Sequence, residues 1–187
     1  MKPFAVLFLF LSLPLFVLFH SGHFVHSSPE DNAADYHPND SSINVKKHLN
    51  KLMSYSAENE LKENEILIVN LWATWCAPCI QEVPELNELV ADYKDKGVRF
   101  LAFSDESAEV FEKFLQKRPE FIFNYEQNFG NKEVGRFIKS MDKQFQGKGI
   151  PLHILVKADG TVGQVLVGAA PVYNAMIRGF LDSQIEI

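Results

Sequence analysis

Apolar positions along the chain change their spacing several times, and each change predicts a different element. Residues 66–72, Ile-Leu-Ile-Val-Asn-Leu-Trp, form an almost unbroken apolar run. Such a run is typical of a buried strand. Val98–Phe103 is a second run of this kind. Between the two, residues 79–93 carry apolar side chains at helical spacing, and Gly97 follows as a stop signal. The first part of the pattern therefore predicts a strand, a helix and a strand.

The second half of the chain predicts further helices and a hairpin. Ser104–Ser107 offers helix-capping residues before an apolar helical face. Residues 157–160, Lys-Ala-Asp-Gly, predict a tight turn, because Asp-Gly supports positive φ. The predicted elements are a helix with Val110, Phe111, Phe114 and Leu115 on its apolar face and Pro119 after it, a short edge strand at Phe121–Tyr125, a helix marked by Val134, Phe137, Ile138 and Met141, strands at Gly149–Val156 and Thr161–Gly168, and a closing helix at Ala175–Leu181.

The order of these elements defines the fold class. A strand–helix–strand start that ends in an antiparallel hairpin and a helix predicts an α/β protein. Its central sheet is expected to be mixed and covered by helices on both faces. Ahead of the first strand, Val45, Leu49, Leu52 and Met53 are spaced for an amphipathic helix that ends near Ser56. We expect that helix to pack on the edge of the domain.

The N-terminal segment has a different character. Lys2 precedes Phe4–Phe19, an apolar stretch of 16 residues that only Ser12 and Pro14 interrupt. This length suits a signal sequence and is short for a spanning helix, which needs about 20 residues. We therefore interpret residues 1–27 as a signal peptide or an N-terminal membrane anchor. With either, the rest of the chain is exported.

Two further segments follow from composition. Residues 28–44 are rich in Ser, Pro, Asp, Asn and His and predict a flexible linker. Residues 45–187 then form the folded domain. His20, His23 and His26 recur at every third position, but no carboxylate or thiol joins them. A polar region after the signal explains them better than a metal site.

Overall composition narrows the class of protein. The 187 residues are 47% hydrophobic and 22% charged, as in a globular domain with appendages. The formal net charge is −6, and no block of basic residues occurs. Nucleic acid is therefore not expected as a partner.

The chain has two cysteines, Cys76 and Cys79, at the junction between the first strand and the first helix. A pair so spaced at a helix start suits reversible thiol–disulfide exchange. Cys76 is expected at the helix cap, exposed, where unpaired N–H groups favour a thiolate. Cys79 is expected in the first turn and more buried, and Pro78 fits that turn because it has no N–H to lose.

Other uses of the pair fit the sequence less well. A structural zinc site needs four ligands, and the sequence has neither a second pair of cysteines nor a Cys/His pair to complete the set. Haem attachment needs His at the position of Ile80. A purely structural disulfide remains open, since export favours oxidation, but so small a loop would stabilise the fold little.

The run Val69–Cys79, followed by Glu82 and Pro84, resembles the thioredoxin superfamily. Within it, the run is similar to the exported TlpA/ResA-like thiol–disulfide oxidoreductases. The resemblance covers roughly residues 45–187, and Gly149–Pro151 and Asp159–Gly160 stand at the expected distance downstream. It implies a thioredoxin fold.

The resemblance also implies roles for single residues. A proline at a strand start is ordinarily trans, but the resemblance implies a cis Ile150–Pro151 bond that faces the cysteines and offers a backbone edge to a substrate. It implies a kink at Pro84. Trp75 borders Cys76 and is expected to shield the thiol and to form part of the docking surface. His153, two residues after Pro151, is interpreted as an ordinary strand residue, and Trp72 as core or edge packing.

Two polar positions near the cysteines each admit two interpretations. Asn70 stands where thioredoxin has a buried acid, and an amide cannot accept a proton from Cys79. Release of a mixed disulfide is then slower, or another base serves. Glu82, one turn beyond Cys79, either tunes the thiols, as acids do in that branch, or is a solvated carboxylate on the helix face.

The resemblance implies an enzyme that reduces protein disulfides outside the cytoplasm, as in cytochrome c maturation or redox homeostasis. Cys76 attacks and Cys79 resolves, with no metal and no organic cofactor. The expected partners are protein disulfides or dithiols and an upstream membrane electron donor, and the expected location is periplasmic, soluble or anchored by residues 4–19. The alternatives are a disulfide oxidant and a non-catalytic binding module. A thiol peroxidase is set aside because no lone peroxidatic cysteine exists.

Overall fold

Five strands form one mixed sheet, in the order β3-β2-β1-β4-β5. The two pairs on the β3 side, β1 with β2 and β2 with β3, are parallel. The two on the other side, β1 with β4 and β4 with β5, are antiparallel. The strands are β1 Ile66–Leu71, β2 Val98–Ser104, β3 Glu126–Phe129, β4 Leu152–Val156 and β5 Val162–Val167. The mixed sheet predicted from the order of elements is therefore confirmed.

Five helices with described bounds accompany this sheet in the part of the chain that the computed structural model describes, besides the helical residues 133, 134, 136 and 137. They are α1 Val45–Met53, α2 Ala77–Gln81, α3 Val83–Tyr93, α4 Ala108–Lys117 and α5 Tyr173–Ile185. The described residues are 44–53, 57–130, 133–134, 136–137 and 149–185.

Alternation along β1 divides the core into two layers. Leu67 and Val69 pack on one face with Val45 and Leu49 of α1. Ile68 packs on the other face. That second layer contains Leu86 and Leu89 of α3 and Ile177 and Leu181 of α5. Each fully buried leucine of this kind contributes about 1.5–3 kcal/mol. Helices thus cover both faces, as expected.

The helix after the cysteines is divided in two at Glu82. The single helix predicted over residues 79–93 is therefore wrong in detail: α2 begins earlier, at Ala77, and α3 begins at Val83. Pro84 explains the break, because a proline has no N–H to donate to the carbonyl of Ile80 four residues before it. The predicted kink at Pro84 is confirmed.

The edge strand predicted at Phe121–Tyr125 is wrong, because the strand lies at Glu126–Phe129. The backbone before it bonds to a side chain of α3 instead of to β2. The side chain of Asn87 donates to the Ile122 carbonyl (2.7 Å) and accepts from the Asn124 N–H (2.9 Å).

The hairpin turn is tied to the start of α1. Gly160 has a φ of 85°, as the Asp-Gly turn predicts, and its carbonyl accepts from the Val45 N–H at 2.8 Å. Lys46 is 3% exposed, and its Nζ donates to the carbonyls of Glu63, Glu65 and Ala158. The predicted packing of α1 on the domain thus involves polar as well as apolar contacts.

Several sequence predictions lie outside the described residues. These are the signal or anchor at residues 1–27, nearly all of the linker at 28–44, and most of the helix marked by Val134–Met141, of which residues 133, 134, 136 and 137 are helical. Within the described ranges, no helix combines the length and the apolar character that a membrane span requires.

Candidate functional site

Cys76 and Cys79 form a disulfide where β1 gives way to α2, with their Cα atoms 5.3 Å apart. The chain leaves β1 through a turn in which the Cys76 N–H donates to the Ala73 carbonyl at 3.0 Å. Cys76 is the N-cap of α2, and its Sγ accepts from the Cys79 N–H at 3.3 Å. The predicted position of Cys76 at the helix cap is confirmed.

Both sulfurs are largely enclosed in this oxidised state. Cys79 is 1% exposed, as the sequence suggested, but Cys76 is only 4% exposed, and the expectation of an exposed thiol is wrong for the disulfide form. Cys76 packs in a small cluster with Trp72, Ala73, Cys79 and Ala102. Trp75 beside it is 73% exposed, so its indole lies open to an approaching molecule.

The Ile150–Pro151 peptide bond is cis, as the resemblance implied. The Ile150 carbonyl oxygen lies 3.6 Å from Cys76 Sγ. The Pro151 carbonyl accepts from the Gly168 N–H at 2.8 Å and is thereby bound to the end of β5. The backbone before β4 therefore faces the disulfide directly.

Glu106 holds the loop that carries Trp75 and Cys76. Its carboxylate accepts from the Thr74 N–H at 2.6 Å and from the Thr74 hydroxyl at 2.8 Å. The Ser104 hydroxyl donates to the same carboxylate at 3.3 Å. Glu106 belongs to the segment Ser104–Ser107, which the sequence predicts to cap a helix. Within that segment Ser107 is the N-cap of α4, and Glu106 contacts Thr74 instead. The contact to Thr74 spans 32 residues, so no local pattern indicated it.

A buried polar network lies on the sheet face towards α3. Asn70 and His153 are opposite each other in the β1–β4 register, and they are 4% and 1% exposed. Asn70 Nδ2 lies 3.2 Å from His153 Nδ1 and donates to Glu82 Oε1, also at 3.2 Å. His153 Nε2 lies 3.2 Å from Glu82 Oε2. These three side chains form a closed ring of polar contacts.

The network changes two sequence interpretations. Glu82 is not a solvated carboxylate, since its side chain is 15% exposed and both oxygens have partners. His153 is more than a strand residue, because both ring nitrogens have polar partners. The signal for this group was the pairing of β1 with β4, which a single sequence does not display.

A cleft of about 270 Å³ opens next to the network. Pro78, Glu82, His153 and Tyr173 are among its lining residues. Burial, and then the charge of the Glu82 carboxylate, raises the pKa of Tyr125 well above its ordinary value. Tyr125 is therefore a neutral phenol at physiological pH.

Among the described residues, no group of three or more His, Cys, Asp or Glu side chains has the arrangement to hold a metal ion. The chemistry that the site offers is that of two adjacent sulfurs, a buried carboxylate and an exposed indole.

Comparisons with known proteins agree with this geometry. The AhpC/TSA family matches residues 43–165, about two thirds of the chain. A protein named thiol-disulfide oxidoreductase ResA, from Bacillus cereus, is 30% identical over 116 residues, which is 62% of this chain and 61% of that protein. ResA of Bacillus anthracis is 30% identical over 103 residues. The chain thus spans 61% and 54% of the length of these two relatives.

Solved structures share the fold. A thiol:disulfide interchange protein of the thioredoxin family from Chlorobium tepidum superposes with a TM-score of 0.53 at 23% identity, covering 66% of this chain and 81% of that one. A thioredoxin-like protein from Porphyromonas gingivalis gives a TM-score of 0.51 at 19% identity, over 71% of this chain and 83% of the other. The thioredoxin fold expected from the sequence is confirmed.

Proposed function

The chain belongs to the AhpC/TSA family, and from this premise we propose that it is a thiol–disulfide oxidoreductase that reduces protein disulfides. The observation that carries the proposal is the Cys76–Cys79 disulfide at the start of α2, directly against the Ile150–Pro151 backbone. The relatives named thiol-disulfide oxidoreductase ResA support the same chemistry.

The proposed reaction moves two electrons to the substrate. In the reduced protein, the Cys76 thiolate attacks one sulfur of a substrate disulfide, and the other substrate sulfur leaves as a thiolate. The Cys79 thiol then loses its proton and attacks Cys76 Sγ. The second substrate sulfur leaves, and the Cys76–Cys79 disulfide forms. Both substrate sulfurs end as thiols after protonation, and both protein sulfurs end oxidised.

Surrounding residues have separate parts in this scheme. Trp75 and Pro78, both exposed, form the docking surface around Cys76. The backbone at Ile150 and Pro151 holds the substrate strand. Because Asn70 cannot take a proton, Glu82 is the group that accepts the proton of Cys79. It lies three residues beyond Cys79 and is partly open to the cleft.

The proposed location is outside the cytoplasm, and the proposed role is protein-disulfide reduction in cytochrome c maturation or redox homeostasis. The apolar Phe4–Phe19 stretch supports export by a signal or anchor. Export also requires a membrane electron donor upstream, since the site must be reduced again after each turnover.

Reduction of insulin by dithiothreitol tests the proposal. Wild-type protein is expected to accelerate the precipitation of insulin chains, and Cys76→Ser to remove the acceleration. Cys79→Ser is expected to accumulate a mixed disulfide through Cys76. When this variant is produced in the native host, the protein trapped on Cys76 is the partner. A reduction potential well above roughly −180 mV would instead indicate an oxidant.

The burial of Cys76 supports one competing function, a binding module that uses the same surface without redox turnover. Alkylation after reduction separates the two. Rapid labelling of Cys76 is expected for the oxidoreductase. An unreactive Cys76, together with equal insulin reduction by wild type and Cys76→Ser, supports the binding module.

A further inference from the structure

Resting on this proposed function, we infer that His153 is a positioning residue. It holds the Glu82 carboxylate in one orientation, and Asn70 fixes the imidazole tautomer that permits this. The inference rests on the ring of contacts among Asn70, Glu82 and His153, which lies beneath the break between α2 and α3.

The fold delivers the three side chains to one point. Asn70 and His153 are register partners on adjacent strands, so both side chains leave the same face of the sheet. Glu82 caps α2 and starts α3, and its side chain caps neither helix. Because Pro84 breaks the helix there, the Glu82 carboxylate is free to turn towards the sheet.

Counting donors assigns the proton of His153. Asn70 Nδ2 carries two hydrogens and faces two partners, Glu82 Oε1 and His153 Nδ1. An amide nitrogen can only donate, so Nδ1 must be an unprotonated acceptor. The imidazole proton is then on Nε2, which donates to Glu82 Oε2.

The opposite orientation of the amide is disfavoured. It would place Asn70 Oδ1 against Glu82 Oε1, where two acceptors repel each other. A doubly protonated His153 would place an N–H against the amide NH₂ of Asn70. The ring of contacts is therefore complete when His153 Nδ1 accepts from Asn70 and Nε2 donates to Glu82.

Two donors on one carboxylate hold it in one orientation. Each oxygen of Glu82 accepts one hydrogen bond, and the rest of the group is available for a proton from Cys79. The cleft next to Glu82 lets that proton pass on to water. His153 thereby keeps Glu82 ready as a base without touching the sulfurs.

Other groups near Glu82 offer it no positive charge. Tyr125 is a neutral phenol whose pKa is raised by burial and then by Glu82 itself. Glu85 and Tyr173 line the cleft, and Cys79 lies in α2, three residues before Glu82. In the described part of the chain, no lysine or arginine lines the cleft. The contacts from Asn70 and His153 therefore hold the carboxylate.

The test follows release of 5-thio-2-nitrobenzoate, a coloured thiolate, from its disulfide 5,5′-dithiobis(2-nitrobenzoate). Cys76 of the reduced protein attacks this reagent, forms a mixed disulfide and releases the first thiolate. Attack by Cys79 on Cys76 then releases the second thiolate. The rate of this second step is measured against pH for wild type, His153→Leu and His153→Gln. Glutamine retains an amide donor for Glu82, and leucine retains none.

We expect His153→Leu to lower the rate of the second step about tenfold, because Glu82 loses one of its two donors. His153→Gln should restore most of the rate. In a Glu82→Gln background, His153→Leu should have no further effect, since its action passes through the carboxylate. Coincident profiles for wild type and His153→Leu, or equal loss in both His153 variants, overturn the inference.

A second measurement needs no substitution. Long-range ¹H–¹⁵N spectra of wild-type protein should show the Nε2–H tautomer of His153. The Nδ1–H tautomer contradicts the inference, even if His153→Leu does not fold. If wild type releases no second thiolate, the proposed function fails and the role of His153 fails with it. Normal wild-type release with an unaltered His153→Leu profile removes only the role of His153.

Discussion

Lys46 places an ammonium group in an interior position, where backbone oxygens replace water around it. Three carbonyls, from Glu63, Glu65 and Ala158, surround Nζ. Burial lowers the pKa of Lys46, and the charges of Glu65, Asp159 and Glu63 only partly oppose this. The side chain joins α1, the loop before β1 and the hairpin turn at one point.

Replacing this lysine by methionine should change both stability and its pH dependence. At pH 7, Lys46→Met leaves buried carbonyls without a donor, and the free energy of unfolding should fall by about 1–3 kcal/mol. Urea unfolding of both proteins in the oxidised state measures the difference.

The sign of the pH effect follows from the direction of the pKa shift. Because the pKa of Lys46 is lower in the folded than in the unfolded state, the unfolded chain binds more protons between the two values, and stability rises with pH there. The free energy of unfolding of the wild type should therefore rise relative to that of Lys46→Met as pH rises towards about 10.4, the ordinary pKa of lysine. A gap that stays constant or narrows over that interval contradicts the burial of the charge. Tyrosine ionisation affects both proteins alike and cancels.

At the scale of single residues, the sequence identified what is local and missed what depends on pairing. Cys76, Cys79 and Pro78 lie within four consecutive positions, so their arrangement followed from spacing alone. The contact between Asn70 and His153 spans 83 residues and exists because β1 and β4 are in one particular register. Nothing in the apolar pattern of either strand specifies that register.

At the scale of elements, the loop between β1 and α2 depends on the loop between β2 and α4. Glu106 joins them through Thr74 and Ser104. Glu106→Ala should lower the free energy of unfolding by roughly 1–3 kcal/mol, because partly buried donors lose their acceptor.

Glu106→Gln is the matched control. The amide oxygen still accepts from the Thr74 N–H, and the Thr74 hydroxyl can reverse to accept from the amide NH₂. Most of the stability should return. A loss below about 0.5 kcal/mol for Glu106→Ala, the range of ordinary surface substitutions, would falsify the linking role of Glu106.

The misplaced edge strand shows the limit of periodicity for short elements. Phe121, Phe123 and Tyr125 alternate with polar or smaller residues, which matches a strand pattern. Their rings instead extend an aromatic cluster, in which Phe123 lies 5.0 Å from Trp72 and 5.4 Å from Phe111 between ring centroids. Burial of alternate aromatic rings does not require strand pairing, and Asn87 supplies the backbone contacts from α3.

At the scale of the whole molecule, the order of elements was predictable because strand and helix patterns alternate clearly from Val45 to the last helix. Strand β1 is apolar except for Asn70 and is buried at every position. The mixed character of the sheet also followed, since a strand–helix–strand unit gives a parallel pair and a hairpin gives an antiparallel pair. The contacts among Asn70, Glu82 and His153, which complete the site, could not be predicted from the sequence.

Differences in burial predict where the molecule opens first. The central strands β1 and β4 are buried at every position, whereas α4 has no fully buried residue and β3 is half-buried at the edge. Amide hydrogen exchange of the oxidised protein should therefore be slowest in β1 and β4 and faster in α4 and β3. Equal protection of α4 and β1 would show that the aromatic cluster stabilises α4 as firmly as the core does the strands.

The attachment of α1 to the hairpin turn places the N-terminal end of the domain and the disulfide at opposite ends of the sheet. Val156, at the end of β4, is opposite Leu67 near the start of β1, so the turn and Asn44 lie at the end of the sheet away from Cys76. The length of β1 separates the two ends by roughly 20 Å for a strand of six residues. If the protein were immobilised through the residues ahead of Asn44, its cysteines would thus lie on the side away from the support, accessible to large folded and to unfolded protein substrates.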